Sequence, residues 1–391
     1  MPQYDHKLWT YQDVVERILD TFDCDPEGRD LRQAKEAVLQ VNRDIGGWHD
    51  WQWYISTYDF DSVTPQSTGT IAYTASTKTV VLSSATWPSW ALYGEMTIGT
   101  DNRRYEVASV TDSTTLVLTS GPTSDVAAGT AYSIFRTDYE VPTSLRKNID
   151  LLDKKYPAAP WAVRYVPSKY VIFADRALYD RYASLEGSLP LDYYNEPEWF
   201  TIVRSSKYDS GYALRFANIP AATRPYTLSY WRDPRHLQYY RVEIPQLVVN
   251  GDGTATSSVF TSDHVGSMLR ISANTEMPTS SIGEIKDDRV NLFEHQSVIT
   301  AVNTGTNTAT LDVAAPTAGT VAAIISDPVD IDNEYMLSGY MAAAEFNFIR
   351  RQRDSKVYPV YLANFQRELA LAKEADEDFR VNRGNRIYGA F

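Results

Sequence analysis

The sequence predicts an α+β fold in which helices from both ends of the chain close on each other as a bundle and small β modules are inserted between them. Three observations carry this. The long amphipathic helical patterns lie in the first 61 residues and after 329. The middle is rich in Thr, Ser, Val and Tyr broken by turn residues, the signature of short strands. Within that middle, one order of features occurs twice. The chain has 391 residues, room for two to four domains at roughly 150 residues each. Its 43% apolar and 13% aromatic content excludes wholesale disorder.

Residues 1–61 read as the N-terminal helices. Thr10-x-x-Asp13 opens the first, with Tyr11, Val14, Ile18 and Phe22 on one face. The turn-rich Asp23–Gly28 ends it. In the second helix Leu31, Ala34, Val38, Val41 and Ile45 recur at steps of 3, 4, 3 and 4. Asp30 is placed to cap it with Gln33 reaching back, and Gly46-Gly47 to stop it. Trp48, Trp51, Trp53 and Tyr54 follow at once, as anchors for a core or for a subunit interface.

Residues 62–138 form a first β module, a barrel or sandwich, with strands expected at Thr70–Ala75, Thr79–Ser84, Glu95–Ile98, Tyr105–Val110, Thr115–Thr119 and Ala131–Arg136. Residues 139–238 are mixed α/β: a helical phrase, ADRALYDRYASLEG, lies among strand candidates such as Phe200–Arg204, Ala213–Ala217 and Thr227–Trp231. Residues 239–328 repeat the first module. Thr86-Trp87 then Tyr93-Gly94 corresponds to Val259-Phe260 then Val265-Gly266. Val107–Val110 with Leu116-Val117-Leu118 corresponds to Ile299–Val302 with Leu311-Asp312-Val313, and Pro122-Thr123 to Pro316-Thr317. Residues 329–379 return to helix. EYMLSGYMAAAEFNFIRR is apolar almost all round, as a central helix must be, and Tyr358, Leu362, Phe365, Leu369 and Ala372 line one face of the last helix. Residues 380–391 read as an extended docking tail.

The net charge is −13, yet residues 379–391 carry Arg380, Arg383 and Arg386 with no acid, which leaves −16 for the rest. An acidic body repels a nucleic-acid backbone, so groove reading or phosphate clamping is disfavoured. One cysteine, Cys24, excludes an internal disulfide framework and a multi-cysteine metal site. No apolar run approaches the ~20 residues that cross a bilayer, and MPQYDHKLW lacks the form of a signal peptide, so synthesis in a cytoplasm is expected.

Catalytic signatures are missing: there is no Walker or Rossmann glycine loop, no G-x-S-x-G and no H-E-x-x-H. The histidines His6, His49, His236, His264 and His295 fall in separate segments. Asp327, Asp330, Asp332 and Glu334 lack the spacing of a calcium loop, and Glu374, Asp376, Glu377 and Asp378 read as a solvated helix end. No enzyme, cofactor or metal is expected. Trp87, Trp90 and Tyr93 leave open a sugar platform on the first β module, the alternative of a tail-tip or fibre-type module that holds a glycan or another tail protein.

Three phrases resemble the head-to-tail adaptor, or connector, proteins of tailed bacteriophages. They are Trp48-His49-Asp50-Trp51-Gln52-Trp53-Tyr54; the β-module ending Tyr132-x-Ile134-x-Arg136-x-x-Tyr139-x-x-Pro142; and the helix phrase Phe365, Glu368, Leu369, Ala372, Ala375, Asp376. The resemblance spans about the first 150 and last 60 residues. It implies a structural virion protein of the neck, made in the host cytoplasm. This would be a homo-oligomeric ring, a dodecamer in the family, seated between portal and tail. DNA passes through such a ring without specific binding, towards tail nozzle, tube or fibre proteins. By the same resemblance Arg380, Arg383, Arg386, Tyr388 and Phe391 dock on the portal.

Overall fold

The computed structural model describes residues 9–148, 163–165, 169–173, 199–278, 293–315, 318–331, 334–352 and 357–388. The fold is mixed α+β, with four helices and three β-sheets among these residues. It divides into two compact units, Met1–Tyr54 with Pro234–Phe391, and Ile55–Asp233. The sequence places the first boundary at 61; the structure places it after Tyr54. Ile55–Asp61 alternates Tyr58 and Phe60 with exposed Thr57, Asp59 and Asp61, a period-2 pattern that makes it a strand.

In the first unit, helix α1 (Tyr11–Thr21) carries the expected capping box: Thr10 accepts from Asp13 N–H and Asp13 from Thr10 N–H. Helix α2 (Gly28–Trp48) departs from expectation at both ends. Its cap position is Glu27, not Asp30, whose carboxylate instead accepts from Gln352 at 2.9 Å. It also runs through Gly46-Gly47 and ends only at His49, where the backbone turns extended (φ −161°, ψ 161°). Glycine permits a helix stop without compelling one, and here contacts made by the following residues set the end. Helix α3 (Glu334–Gln352) packs on α1, on α2 and on α4 (Tyr358–Tyr388), and α4 also meets the ends of α1 and α2 directly, Tyr361 against Phe22 and Phe365 against Trp48. Facing residues fix α3 and α4 as antiparallel: Gly339 lies against Ala372, and the Phe346 ring stacks on Phe365 at 5.8 Å. Burying a side chain such as Phe348 is worth about 1.5–3 kcal/mol, and α3 does so with residues on every side.

The same unit holds a closed barrel of six strands: β16 (Val242–Val249), β17 (Thr254–Thr256), β18 (Met268–Ser272), β19 (Phe293–Asn303), β20 (Thr308–Leu311) and β21 (Gly319–Ser326). Their order around the barrel is β16-β17-β20-β19-β18-β21. Ile244, Leu247, Leu269, Ile271, Ile299 and Ile325 fill it.

The second unit contains the first β module and an eight-stranded sheet. The module comprises β2 (Thr70–Thr74), β3 (Thr79–Ser83), β4 (Glu95–Ile98), β5 (Asp101–Val110), β6 (Thr115–Leu118), β7 (Val126–Thr130) and β8 (Tyr132–Phe135), in the order β7-β2-β3-β6-β5-β4-β8. Only Ala131 separates β7 from β8, so the two ends of this path belong to one broken strand. With that strand in the place of β21, the order is the one found in the barrel, as the internal repeat requires.

Register refines the repeat. Val107 faces Leu118 as Ile299 faces Leu311. Glu95, Met96, Thr97 and Ile98 face Phe135, Ile134, Ser133 and Tyr132 as Met268, Leu269, Arg270 and Ile271 face Ser326, Ile325, Ile324 and Ala323. Trp87 and Phe260 correspond as expected, both buried. Gly94 corresponds to Ser267, one residue from the position read in the sequence: its carbonyl accepts from Val107 as that of Ser267 accepts from Ile299. Leu118, not Leu116, corresponds to Leu311. A shift of two keeps every side chain on its face, so hydrophobic pattern alone does not detect it. Pro316-Thr317 lies outside the described residues.

The sheet runs β1 (Ile55–Asp61), β15 (Pro225–Arg232), β11 (Val163–Tyr165), β12 (Lys169–Phe173), β13 (Trp199–Arg204), β14 (Tyr212–Phe216) and β9 (Asp138–Glu140), with β10 (Leu145–Asn148) also on β15. Phe60, Tyr139, Phe216 and Tyr226 form its aromatic core. The helix expected at ADRALYDRYASLEG lies outside the described residues.

Candidate functional site

The end of α2 is where the sequence-predicted anchors meet. Trp48 is half-buried and packs on Phe365 of α4 with ring centroids 5.3 Å apart. Trp51 is fully buried; its Nε1 donates to the Ile45 carbonyl at 2.8 Å, and its ring meets the His49 ring at 4.8 Å. Tyr54 is buried beside them in sequence, whereas Trp53 is 41% exposed and donates through Nε1 to the Asp330 carbonyl at 3.0 Å. Asp376 closes the arrangement. One carboxylate oxygen accepts from the Gln52 amide at 3.0 Å, and the other lies 3.1 Å from His49 Nε2. Asp376 is therefore a clamp, not part of a solvated helix end; only 13% of its side chain is exposed. Two of the three phrases that carry the resemblance are thus complementary surfaces of one contact. They touch through Trp48 with Phe365 and through Asp376 with His49 and Gln52.

The third phrase builds the junction between the first β module and the eight-stranded sheet. Tyr132 and Ile134 lie in the module core and Tyr139 in the sheet core. Between them the Arg136 guanidinium sits over the rings of Tyr139 (4.6 Å), Tyr93 (5.1 Å) and Tyr208 (5.9 Å). Tyr93 and Tyr208 stack at 4.9 Å with planes 9° apart. Beside this cage, Arg215 grips Asp138 through two bonds of 2.7 and 2.6 Å. Burial raises the Glu95 carboxyl above its ordinary range, Asp138 and Glu106 adding to the rise while Arg104 and Arg215 oppose it.

Asp327 stands in the repeat where Arg136 does, directly after the last strand. It is 1% exposed, and its carboxylate accepts from Ser267 Oγ (2.6 Å) and the amides of Gln238 (2.5 Å) and Tyr239 (2.8 Å). Asp330 accepts from the Arg235 amide at 3.2 Å, while Asp332 lies outside the described residues. Donors from the chain itself thus hold both carboxylates. Among the described residues no group of three or more His, Cys, Asp or Glu is placed to hold a metal ion.

The sugar platform is corrected. Trp87 is 7% exposed and belongs to the module core, where its ring meets Tyr132 edge-on at 5.3 Å; Trp90 packs against the same core and Tyr93 is taken by Tyr208. Large rings in a small barrel fill its interior before they line its surface.

One pair escapes sequence reasoning. Arg270 of β18 reaches Asp13 of α1 with two bonds of 2.6 Å, both side chains buried. Its only trace is Asp13 as a cap residue and an arginine at an outward position of an apolar strand. Of the histidines, His264 is buried against Tyr239 and its Nδ1 accepts from the Thr261 amide at 3.0 Å; His295 lies 3.2 Å from the Val313 carbonyl. His236 is exposed, and His6 lies outside the described residues.

The extended docking tail is also corrected. The backbone is helical through Arg380, Arg383 and Arg386 to Tyr388, and Phe391 lies outside the described residues. Arginines at a helix C-terminus complement the negative end of its dipole, so the basic segment favours the helix it ends. With α4 antiparallel to α3 and 31 residues long against 19, the backbone after Glu377 runs past the start of α3.

No helix among the described residues is long and apolar enough to cross a membrane. Comparison with protein-family models, curated proteins and solved structures finds no match.

Proposed function

We propose that this protein is a structural, non-enzymatic head-to-tail adaptor of a tailed bacteriophage virion, a homo-oligomeric ring between portal and tail that continues the DNA channel. In this reading α1 to α4 act as one helical bundle, the rigid body of each subunit. The observation that carries it is the joining of Trp48, His49 and Gln52 to Phe365 and Asp376: the phrases that resemble the adaptor family interlock. A net charge of −13 suits a conduit that DNA must slide past.

The end of the chain is the portal-docking element, through Arg380, Arg383, Arg386, Tyr388 and Phe391, and its backbone is helical to Tyr388. The two β modules contact tail nozzle, tube or fibre proteins. Deleting residues 380–391 should leave the melting temperature within about 2 °C of wild type, because the buried residues described on α4 end at Ala372. The same deletion should abolish co-sedimentation with purified portal rings of the same virus. A truncated chain that still co-sediments with portal would remove the docking assignment. A full-length chain that never does so would remove the adaptor reading itself.

A further inference from the structure

The hairpin between β16 and β17 carries chemistry that the adaptor reading does not use. Asn250-Gly251 is the one Asn-Gly pair in the chain. Such a pair is a common tight-turn signal, and Gly253 in this turn does need to be glycine, at φ +81°. Gly251 does not: its φ lies outside the left-handed region, and a Cβ built there meets nothing within 4 Å. What glycine does at 251 is leave the backbone nitrogen unshielded beside the Asn250 side chain. We propose that Asn250 is a self-modification site, converted by water to aspartate or isoaspartate at a rate set by local opening of β17. The backbone nitrogen of Gly251 attacks Cγ of Asn250, the N–Cγ bond forms, and the side-chain nitrogen leaves as ammonia. Water then opens the five-membered imide at either carbonyl. One amide and one water give one carboxylic acid and one ammonia, with no oxidant or reductant.

In the folded chain both hydrogens of the Asn250 amide are engaged. Nδ2 donates to Thr254 Oγ1 at 2.9 Å and to Thr256 Oγ1 at 3.1 Å, and the Asn250 backbone N–H donates to the Thr254 carbonyl at 2.9 Å. To bring Cγ onto the Gly251 nitrogen the side chain must give up both threonines. At three residues β17 is the shortest strand of the barrel, so its opening breaks the fewest ladder bonds. The product does not fit the place of the amide. The Asp252 carboxylate can only accept, so the Thr254 hydroxyl hydrogen points to its Oδ1, 2.6 Å away. That bond and the Thr254 amide hold the Asp252 carboxyl below its ordinary range. Thr254 Oγ1 therefore turns lone pairs to residue 250, where a donor fits and an acceptor does not. A carboxylate at 250 faces those lone pairs and the charge of Asp252 behind them. Isoaspartate also lengthens the main chain, which breaks the pairing of Val248 with Thr256 and of Val249 with Ala255. The matching turn of the first module, residues 75–78, holds no asparagine, so the change separates the two copies of the repeat.

The test follows the full chain in mildly alkaline buffer, native and in urea, by mass-spectrometric peptide mapping with isoaspartate methyltransferase labelling. Conversion at Asn250 should be at least about tenfold slower in the native chain than in urea. Thr256→Val keeps a strand-favouring shape and removes one acceptor, so it should raise the native rate several-fold and leave the urea rate unchanged. Gly251→Ala should suppress conversion in urea at an unchanged or higher melting temperature. Asn250→Asp should melt below wild type. Adding Asp252→Asn should restore most of that loss, because the Thr254 hydrogen is then free to turn to residue 250. Equal rates native and in urea, a native rate indifferent to Thr256→Val, or urea conversion that persists in Gly251→Ala would each overturn the site. An Asn250→Asp chain as stable as wild type, or one that Asp252→Asn does not rescue, would overturn the donor role of the amide. None of these measurements depends on assembly or on portal binding.

Discussion

Asp13 and Arg270 form a tight contact, and its energetics differ from those of a surface ion pair. Both side chains are buried, so each charge depends on the opposite charge facing it inside the fold. Asp13 also accepts from the Thr10 amide at 2.8 Å, so one carboxylate caps α1 and fastens it to β18. Asp13→Ala takes from the buried Arg270 guanidinium, which also lies over the Phe293 ring at 4.6 Å, its carboxylate partner, and it removes the cap. It should cost about 3–5 kcal/mol in chemical denaturation. Asp13→Leu combined with Arg270→Met should recover most of that loss, because an apolar pair avoids the desolvation the ion pair must offset. If the double variant is no better than Asp13→Ala, the carboxylate matters as a cap and not as a charge.

His264 makes a second case at this scale. Burial lowers its pKa below the ordinary 6.5, while Asp327 and Asp263 oppose the shift. Its Nδ1 receives the Thr261 amide, a bond that only the neutral tautomer can accept. The unfolded chain therefore binds a proton more readily than the folded one. The stability held by neutral His264 is complete above pH 6.5 and is lost as the pH falls through 6.5 towards the folded pKa. His264→Asn keeps an acceptor and cannot titrate. The fall in melting temperature between pH 7 and 5 should be shallower in this variant than in wild type; parallel slopes would assign that pH dependence to other groups.

At the scale of elements, what the sequence revealed was whatever periodicity encodes. The capping box of α1, the buried stripe of α2, the all-round burial of α3 and the repeat of two six-strand paths are all visible as spacing. What failed was decided by contacts between distant residues. Asp376, 324 residues beyond Gln52, holds the segment that follows α2, and no local rule at Gly46-Gly47 reports it. Ile55–Asp61 falls within the N-terminal helical region in the sequence because its partner strand, Pro225–Arg232, lies far along the chain. Corresponding β elements could be matched in order but not in register, since a two-residue slip leaves the alternation intact. Of the candidate site, Trp48, Trp51 and Tyr54 were legible as anchors from size and density. Arg136 entered only as a letter in a phrase; its meaning is the cage of Tyr93, Tyr139 and Tyr208.

At the scale of the whole molecule, the repeat and the division into units cut across each other. The two β modules share one strand order, yet one belongs with Ile55–Asp233 and the other with the helices. A similar face of each module is engaged inside its own unit. Arg270 on β18 meets the helix cap at Asp13, and Glu95 on the equivalent strand lies near Asp138 and Arg215. Each unit has its own hydrophobic core, so each should melt as its own cooperative step. Calorimetry of the full chain should then resolve two transitions. Asp13→Ala should lower only the one belonging to Met1–Tyr54 with Pro234–Phe391, and a fragment of residues 55–233 should reproduce the other. The chain enters and leaves that fragment at Tyr54–Ile55 and Asp233–Pro234, so excising it cuts only two connections. A single transition that Asp13→Ala shifts as a whole would mean that the two cores fold as one.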